Sequence, residues 1–378
     1  MNILFHTYWY PYNEALLGIF IREHAESCQM AGGNVAVQAI IVKPGKHLFK
    51  AKSVFLHEEG GVPTYYFVVK SCIWKYLYVI TPLLYLFARW HYKRVIAKSF
   101  KPDVVVSNVI QRAGITGFWL ANKLKKPHVL IEHWTQLPRF MKRNIFAPFA
   151  KKSLQKSALL LPVSNYLKKQ LIEFGAKPDK VVVVPNVIAT EEFYYAAKQP
   201  KNHLRFLAVM ALDYPKDPFL LVNALGIISK KTDKPIVLGI AGRGPYLPEL
   251  EKLAAGFDNL TVNFWGLIPK KQLAVEMHLA DYVVHASYIE TFSLVVAEAI
   301  CTGTPVCASN ISPINDLIID GQNGLLCNNN LEDWVAGIEK LMQGNYQSAA
   351  ESAKFLNRFS KEAVGKQLYA ELKKVATA

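Results

Sequence analysis

Short apolar runs alternate along this chain with longer stretches in which apolar residues recur every three or four positions. Short runs of aliphatic and β-branched residues are typical of buried strands, and the longer periodic stretches are typical of amphipathic helices. In the first half the pattern predicts strands at residues 2–6, 34–41, 104–106, 128–131, 159–163 and 181–184. Helices are predicted at residues 14–30, 113–124 and 165–174. This alternation indicates a parallel sheet that is covered by helices on both faces.

The alternation pauses at residues 188–204, a polar stretch that we interpret as a domain linker. Beyond it, strands are predicted at residues 205–209, 235–241, 260–264, 282–285 and 305–308, and helices at 218–230, 248–254, 271–279 and 293–301. We therefore predict an α/β protein with two Rossmann-like domains at residues 1–190 and 203–358. Residues 359–378 are predicted to form a helix that returns to the first domain. Because ligands of such folds bind at the carboxyl ends of the strands, we expect the site in a cleft between two facing domains.

The most apolar segment, residues 76–88, is too short to cross a membrane, since a spanning helix needs about 20 apolar residues. We expect a buried helix, or one lying in a membrane interface, because its flanks are aromatic and basic. The N-terminal residues resemble a strand and a loop rather than a secretory signal. Five cysteines, odd in number and without a CxxC pair, favour a reducing compartment and argue against a disulfide framework or a zinc site. We expect a cytoplasmic protein.

The charge of the chain is unevenly distributed. Hydrophobic residues make up 51% of the 378 positions and charged residues 19%, which excludes a disordered chain. Residues 1–200 carry 27 Lys and Arg against 11 Asp and Glu, whereas residues 201–378 carry 17 against 18. The balances are thus +16 and −1. The first half is therefore expected to face an anionic partner.

The segment at residues 282–306 carries the clearest chemistry. A predicted strand is followed by a loop containing Glu290 and by a helix that starts near Ser293, with Glu298 two turns further on. A helix N-terminus with free backbone N–H groups is suited to a phosphate. Two carboxylates beside it are suited to accept hydrogen bonds from sugar hydroxyls. By itself, however, such a pair is commonly one carboxylate that complements the helix dipole and one solvated helix residue.

Glu290 and Glu298 form an E-x7-E arrangement that resembles the retaining glycosyltransferases of family 4. Other segments resemble motifs of the same family in the same order: PVS at 162–164, VPN at 184–186, IAGRGP at 240–245, VNFWG at 262–266, ASYIE at 286–290 and DGQNG at 320–324. The resemblance covers almost the whole chain. It implies the GT-B fold, in which two Rossmann-like domains face each other, and the transfer of a sugar from a nucleotide-sugar to an acceptor hydroxyl.

The resemblance also implies roles for individual residues. Glu290 would bind the donor sugar, Glu298 the ribose hydroxyls, and Lys216 the diphosphate. The backbone N–H groups of Phe292, Ser293 and Leu294 would bind the diphosphate as well. The candidate catalytic residues are Glu290, His133 and Lys216, and the candidate donor-binding residues are Phe292, Ser293, Leu294, Glu298, Arg243 and Gly18.

Two of these candidates match single positions of the family, and a third stands in for a family residue that is missing. His133 matches the histidine at a strand end that touches the donor sugar, and Gly18 matches a glycine that lets the backbone approach a ligand. The family often has an arginine shortly before the lysine, where this chain has Met210 and Ala211, and Arg243 is the candidate substitute. No acidic triad lies in a suitable loop and the histidines are scattered, so no metal or other cofactor is expected.

The basic first half suggests where the acceptor binds. We expect it to hold a lipid-linked or cell-surface glycan at an anionic membrane surface, which places the enzyme on the inner face of the membrane. A nucleotide-sugar epimerase of the same fold is one alternative. Non-enzymatic nucleic-acid binding is another, prompted by a pI near 9.4, but no recognition motif supports it. A dinucleotide-dependent dehydrogenase is disfavoured because no GxGxxG follows the first strand.

Overall fold

The structure, a computed structural model, describes residues 1–12, 17–56, 61–77, 80–198 and 202–377. It divides the chain into two units, one of Met1–Val187 together with Lys361–Ala378 and one of Ile188–Ser360. Each unit is built on a largely or wholly parallel sheet with helices packed on it. The two Rossmann-like domains predicted from the pattern of apolar runs are therefore confirmed.

The first unit contains a seven-stranded sheet. Its strands are β1 (Asn2–Thr7), β2 (Asn34–Pro44), β3 (Lys50–Leu56), β4 (Thr64–Ser71), β5 (Val104–Asn108), β6 (His128–Glu132) and β7 (Leu159–Pro162). Their order is β3-β4-β2-β1-β5-β6-β7, and all neighbours are parallel except β3 and β4. Every residue of β5, β6 and β7 is buried. Burial on both faces explains why these strands are mostly apolar in sequence.

Seven α-helices accompany this sheet in the described part of residues 1–187. They are α1 (Ile19–Met30), α2 (Trp74–Leu77), α3 (Thr81–Arg94), α4 (Ile115–Leu124), α5 (Leu137–Arg143), α6 (Ala147–Lys156) and α7 (Asn165–Glu173). The apolar segment predicted as one helix contributes to both α2 and α3, and residues 78–79 lie outside the described part. In α3, Leu84 and Ala88 are buried while Leu86 and Trp90 are exposed. No helix of the described residues is long and apolar enough to cross a membrane.

The second unit contains a six-stranded, wholly parallel sheet. Its strands are β8 (Leu204–Val209), β9 (Ile236–Ala241), β10 (Leu260–Gly266), β11 (Tyr282–His285), β12 (Val306–Ser309) and β13 (Gly324–Cys327), in the order β10-β9-β8-β11-β12-β13. Its helices are α8 (Pro218–Ser229), α9 (Leu247–Ala254), α10 (Lys270–Leu279), α11 (Leu294–Cys301), α12 (Leu331–Gln343) and α13 (Ser348–Phe359). Phe206 and Trp334 are fully buried in its core.

The last helix, α14 (Lys361–Ala376), belongs to the first unit and packs against α1. A Cβ atom at Gly365 would lie 2.1 Å from the carbonyl oxygen of Ser27, so only glycine allows the two helices to approach this closely. Lys361 Nζ also lies 3.4 Å from the Glu26 carboxylate. The chain thus leaves the first unit at Val187 and returns to it after Ser360.

The structure differs from the predicted elements in several places. The predictions lacked strands β3, β4 and β13 and helices α5, α6, α12 and α13. Strand β3 gave no signal because it is exposed at nearly every residue and shows no alternation of apolar and polar positions. The strand predicted at residues 181–184 is only an isolated bridge between Val181 and Leu160. The stretch interpreted as a linker is packed into the second unit, where Phe193 is fully buried. Residues 14–16 of the first predicted helix and residues 199–201 of that stretch lie outside the described residues.

Candidate functional site

Two loops of the second unit meet at the carboxyl edge of its sheet. One follows β8 and carries Lys216, and the other follows β11 and carries Glu290. β8 and β11 are neighbours in the sheet, and a backbone bridge between Lys216 and Ser287 joins the two loops. Because neighbouring parallel strands end at the same edge, the side chains of residues 74 positions apart come into contact.

A cluster of polar side chains surrounds the carboxylate of Glu290. Lys216 Nζ forms an ion pair with Oε1 of Glu290 and lies 3.3 Å from Oγ of Ser287. Nε2 of His285 is 2.6 Å from the same carboxylate oxygen. Sequence analysis did not identify His285, although it is the polar last residue of an apolar strand that leads into the site loop. The structure therefore adds His285 to the predicted pair of Lys216 and Glu290.

The charges in this cluster follow from burial and from these contacts. Burial alone would raise the pKa of Glu290, but the hydrogen bond from His285 and the charge of Lys216 outweigh it and lower the pKa to about 2. Burial and the nearby Lys216 lower the pKa of His285. At neutral pH Glu290 is therefore ionised, and His285 is neutral and donates its Nε2 hydrogen. Nδ1 of His285 is buried without a hydrogen-bond partner among the described residues.

The start of α11 lies next in the chain. Ser293, its N-cap residue, has φ 70° and ψ 76°, a left-handed conformation that is unusual for a residue with a side chain. Its hydroxyl is buried and has no partner among the described residues. The backbone N–H groups of Phe292, Ser293 and Leu294 also have no acceptor among the described residues. Together they form the arrangement of donors that favours an anion.

The two predicted side chains that flank this helix start differ in their surroundings. Phe292 is buried, and its ring packs edge to face on Phe359 with centroids 5.5 Å apart, which fixes the backbone at that position. Glu298 is 7% exposed and lies within α11. Burial raises the pKa of the neighbouring Cys301 to about 12, and the charge of Glu298 acts in the same direction. The Glu298 carboxylate is thus largely removed from bulk water.

Arg243 is exposed in the loop after β9. This loop packs closely on the backbone that follows β8, since a Cβ at Gly244 would lie 2.2 Å from the carbonyl oxygen of Leu212. The carbonyl of Arg243 accepts a hydrogen bond of 3.0 Å from the Leu212 N–H. The loop of Arg243 therefore lies beside Met210 and Ala211, the positions where the family often has an arginine.

His133 lies in the first unit, directly after β6. Its Nδ1 is 3.1 Å from Oδ1 of Asn186 and its Nε2 is 3.3 Å from Oδ1 of Asn108. Burial and the neighbouring His24 lower the pKa of His133 well below its usual value. A neutral ring has one N–H, so one of the two amides must present its NH2 group instead. Nδ2 of Asn108 has no partner among the described residues, so rotating that amide satisfies both groups.

Gly18, the N-cap residue of α1, has φ 72°. A Cβ atom there would lie 2.5 Å from the carbonyl oxygen of Trp9. Both the left-handed backbone and this close approach require glycine. The position predicted to let the backbone approach a ligand therefore already brings two segments of the chain together.

The predicted site residues fall into two sets. Lys216, Glu290 and the remaining donor-side residues belong to the second unit, whereas His133 and Gly18 belong to the first. Among residues that the structure describes, no three His, Cys, Asp or Glu side chains are grouped as metal ligands.

Comparison with known proteins defines the class. The model of glycosyltransferase family 4 matches residues 51–192, and the model of glycosyl transferases group 1 matches residues 191–363. The fold is similar to that of sucrose-phosphate synthase from Thermosynechococcus elongatus, with a TM-score of 0.76 at 17% identity over 100% of this chain and 99% of that one. It is also similar to Anabaena HepE in complex with UDP-glucose, with a TM-score of 0.72 at 17% identity over 99% and 100% of the chains.

Curated relatives agree with these matches. Alpha-monoglucosyldiacylglycerol synthase of Streptococcus pneumoniae is 28% identical over 61% of this chain and 57% of that protein. Glycogen synthase of Mycobacterium tuberculosis is 26% identical over 61% of this chain and 52% of that protein. The matches thus span little more than half the length of these relatives. The chain belongs to glycosyltransferase family 4, as the sequence motifs predicted.

Proposed function

We propose that this chain transfers a sugar from a nucleotide-sugar donor to an acceptor hydroxyl, with retention of the anomeric configuration. The observation that carries the proposal is the ionised Glu290, held by Lys216 and His285 beside three backbone N–H groups that lack an acceptor among the described residues. Carboxylate oxygens accept hydrogen bonds from sugar hydroxyls, while the amides and the lysine suit a diphosphate. The donor-side groups of the second unit thus match the two halves of a nucleotide-sugar.

In this mechanism the bond between the anomeric carbon and the diphosphate oxygen breaks as the acceptor oxygen bonds to the same face of that carbon. The acceptor proton passes to the departing phosphate oxygen. Lys216 and the amides at the start of α11 stabilise the charge that develops on the leaving diphosphate. Glu290 positions the sugar and Glu298 the ribose, and Arg243 supplies positive charge where the family arginine is missing. Because Lys216, Arg243 and the amides at the start of α11 stabilise the negative charge of the diphosphate, we expect activity without an added metal ion.

His133 and Gly18 are proposed to act from the first unit. The two asparagine contacts fix the orientation of the His133 ring and occupy both of its nitrogens. A donor sugar hydroxyl would therefore take the place of Asn108, whose contact of 3.3 Å is the longer of the two. Gly18 holds the start of α1 against the Trp9 carbonyl, and the family resemblance assigns the backbone at this position to the approach of a ligand.

Thermal unfolding with UDP, GDP, ADP and their glucose conjugates tests donor binding. We expect one nucleotide series to raise the melting temperature and Glu298→Ala to remove most of that shift. Glu339→Ala, at an exposed carboxylate on α12, is the matched control and should keep it. If no nucleotide stabilises the protein, the proposal is wrong. If Glu298→Ala binds as wild type does, the ribose role of Glu298 is wrong.

For the acceptor, we propose a lipid-linked or cell-surface glycan used in polysaccharide biosynthesis, with the enzyme peripheral on the inner membrane face. The support is a surface on α2 and α3, on which Tyr76, Leu86 and Trp90 are 69%, 54% and 51% exposed. Exposed basic residues lie on the same two helices at positions 75, 89, 93 and 94, and Arg89 and Lys93 follow Leu86 at helical spacing on one face of α3. Aromatic and basic residues together suit an anionic membrane surface, where each near-surface Lys or Arg contributes about 1 kcal/mol.

Vesicle sedimentation tests this surface. The protein should sediment with vesicles containing phosphatidylglycerol at low salt, and high salt should release it in part. Leu86→Ser combined with Trp90→Ser should reduce the bound fraction, whereas Ile145→Ser, at a site that is 75% exposed outside this surface, should not. Equal recovery of wild type and the double variant in the supernatant would contradict the membrane proposal.

A further inference from the structure

The first unit contains a pocket of about 390 Å³ whose lining residues have no proposed part in donor binding. Its lining is mostly polar and basic and includes Gln111, Trp134, Gln136, Arg139, Arg143 and Asn144. Trp134 follows His133 directly, and Gln111 lies in the loop after β5. The pocket therefore lies beside the residue proposed to act on the donor sugar from this unit.

One wall of the pocket is positively charged. Arg139 and Arg143 are four positions apart on α5, so their side chains leave the same face of that helix. Both residues are exposed. No carboxylate among the described residues forms an ion pair with either guanidinium. Two guanidinium groups without a counterion on one wall are suited to a bidentate anion such as phosphate or carboxylate.

The segments that bring Gln111 and Trp134 to the pocket are fixed by one buried carboxylate. Oε1 of Glu132 accepts hydrogen bonds from the backbone N–H groups of His133 at 2.9 Å and Trp134 at 2.8 Å. Its Oε2 accepts one from Ile110 at 2.7 Å, next to Gln111. Glu132 thus ties the loop that carries Gln111 to the segment that carries Trp134.

The loop held in this way is strained. Val109, two positions before Gln111, and Arg112, directly after it, have φ of 71° and 62°, in the region that favours glycine. Such backbone persists only where surrounding contacts hold it, and it is concentrated at ligand sites. The Trp134 ring is itself packed against the rings of Phe140 and Trp9, with centroids 5.8 Å and 6.2 Å away. The walls are therefore held in place before any ligand binds.

We infer that this pocket binds the acceptor through a negatively charged group, phosphate or carboxylate, carried on or next to a saccharide ring. Arg139 and Arg143 bind the anion, the indole of Trp134 offers an apolar face to the ring, and the side-chain amides of Gln111, Gln136 and Asn144 bind hydroxyls. The inference rests on the proposed function, because only a transferase requires an acceptor, and it adds the charge of that acceptor.

Isothermal titration of the full chain with glucose 6-phosphate, glucuronate, glucose and inorganic phosphate tests the proposed acceptor pocket. Each titration is carried out with and without saturating UDP. We expect an anionic sugar to bind at least about tenfold more tightly than glucose, also when UDP is present. Arg139→Ala combined with Arg143→Ala should weaken it by about tenfold for each arginine. Lys151→Ala with Lys152→Ala, at exposed lysines on α6 outside the pocket, removes the same charge and should leave binding unchanged.

A second arm distinguishes a soluble anionic sugar from a lipid headgroup. Vesicles with phosphatidylinositol, which carries a ring polyol on its phosphate, are compared with phosphatidylglycerol vesicles of equal charge. If the wild type prefers phosphatidylinositol vesicles and the variant lacking both arginines does not, the anionic acceptor is a lipid headgroup. If the wild type instead binds a soluble anionic sugar, the acceptor is a soluble compound. Either result supports the inference.

Three results would overturn the inference: neither source binds, the arginine pair variant binds as wild type does, or inorganic phosphate binds as tightly as glucose 6-phosphate. Stabilisation by UDP is measured on the same preparations. UDP binding combined with any of the three overturns only the acceptor pocket, whereas absence of all nucleotide binding overturns the proposed function.

Discussion

His285 donates its Nε2 hydrogen to Oε1 of Glu290 across 2.6 Å, which joins the last residue of β11 to the loop that follows it. The same oxygen also forms an ion pair with Nζ of Lys216, which lies in the loop after β8. A single carboxylate oxygen therefore holds two loops together, and the geometry of the candidate donor site depends on its remaining ionised.

Glu290→Gln should lower the free energy of unfolding at pH 7 by roughly 2 kcal/mol. The folded protein holds the pKa of Glu290 at about 2, below the ordinary value of 4.5, so the carboxylate stabilises the fold fully above about pH 4.5. That contribution is lost as the pH falls from about 4.5 towards 2. Urea unfolding of both proteins at pH 7, 5, 4 and 3.5 measures the difference.

The matched control for that series is Glu339→Gln, which removes a more exposed carboxylate paired with Lys231. Its effect should stay within about 0.5 kcal/mol, as for surface ion pairs in general. A Glu290→Gln difference that stays constant down to pH 3.5 would show that the ionised carboxylate is not the stabilising group.

Ser293→Gly should be more stable than Ser293→Ala by about 1 kcal/mol, because only glycine adopts the left-handed backbone at this position without strain. The hydroxyl forms no cap hydrogen bond, so its loss has little effect on the fold. Chemical denaturation of the two variants measures the difference. The same pair of substitutions at Ser229, a buried serine within α8, is the control, and there alanine should be the more stable. Equal stability of the two Ser293 variants would contradict the strain argument.

Gly18→Ala should destabilise the protein by about 3 kcal/mol, through the left-handed backbone and the overlap of the new Cβ with the Trp9 carbonyl. Gly32→Ala is the control, because Gly32 also has a positive φ of 95° but no atom lies within 4 Å of its Cβ position. That variant should lose only about 1 kcal/mol. Urea midpoints of the two variants give the comparison, and equal losses would show that close approach at Gly18 is unimportant.

Glu132→Gln should speed amide hydrogen exchange either at Ile110 or at His133 and Trp134, since an NH2 group replaces either the oxygen that accepts from Ile110 or the one that accepts from His133 and Trp134. Hydrogen-exchange mass spectrometry of peptides covering residues 108–112 and 132–136 measures the change. A peptide from β1 serves as the internal control. Unchanged exchange in both peptides, in a variant that remains folded, would show that Glu132 does not hold these two segments.

Sequence reasoning predicted most strands of both sheets to within a few residues, including the edge strands β7 and β10, but it missed the buried interior strand β4 and the last strand, β13. It performed worst for β3, an edge strand whose residues are mostly exposed and whose polar side chains mask any periodicity. The predicted linker was misjudged for a similar reason, because one buried side chain, Phe193, anchors an otherwise polar stretch.

The sequence by itself determined the two Rossmann-like domains, the family, and the loops that carry Lys216 and Glu290, because these depend on local periodicity and on motifs of adjacent residues. Only the tertiary structure decided that His285 joins this pair, that Glu132 ties Gln111 to Trp134, and that Arg139 and Arg143 line one pocket. The contacts of Lys216 with Glu290 and of Ile110 with Glu132 join segments that follow different strands, and the pocket brings Gln111 from the segment after β5 to the two arginines of α5. The order of strands in a parallel sheet sets those distances, and no spacing along the chain encodes them.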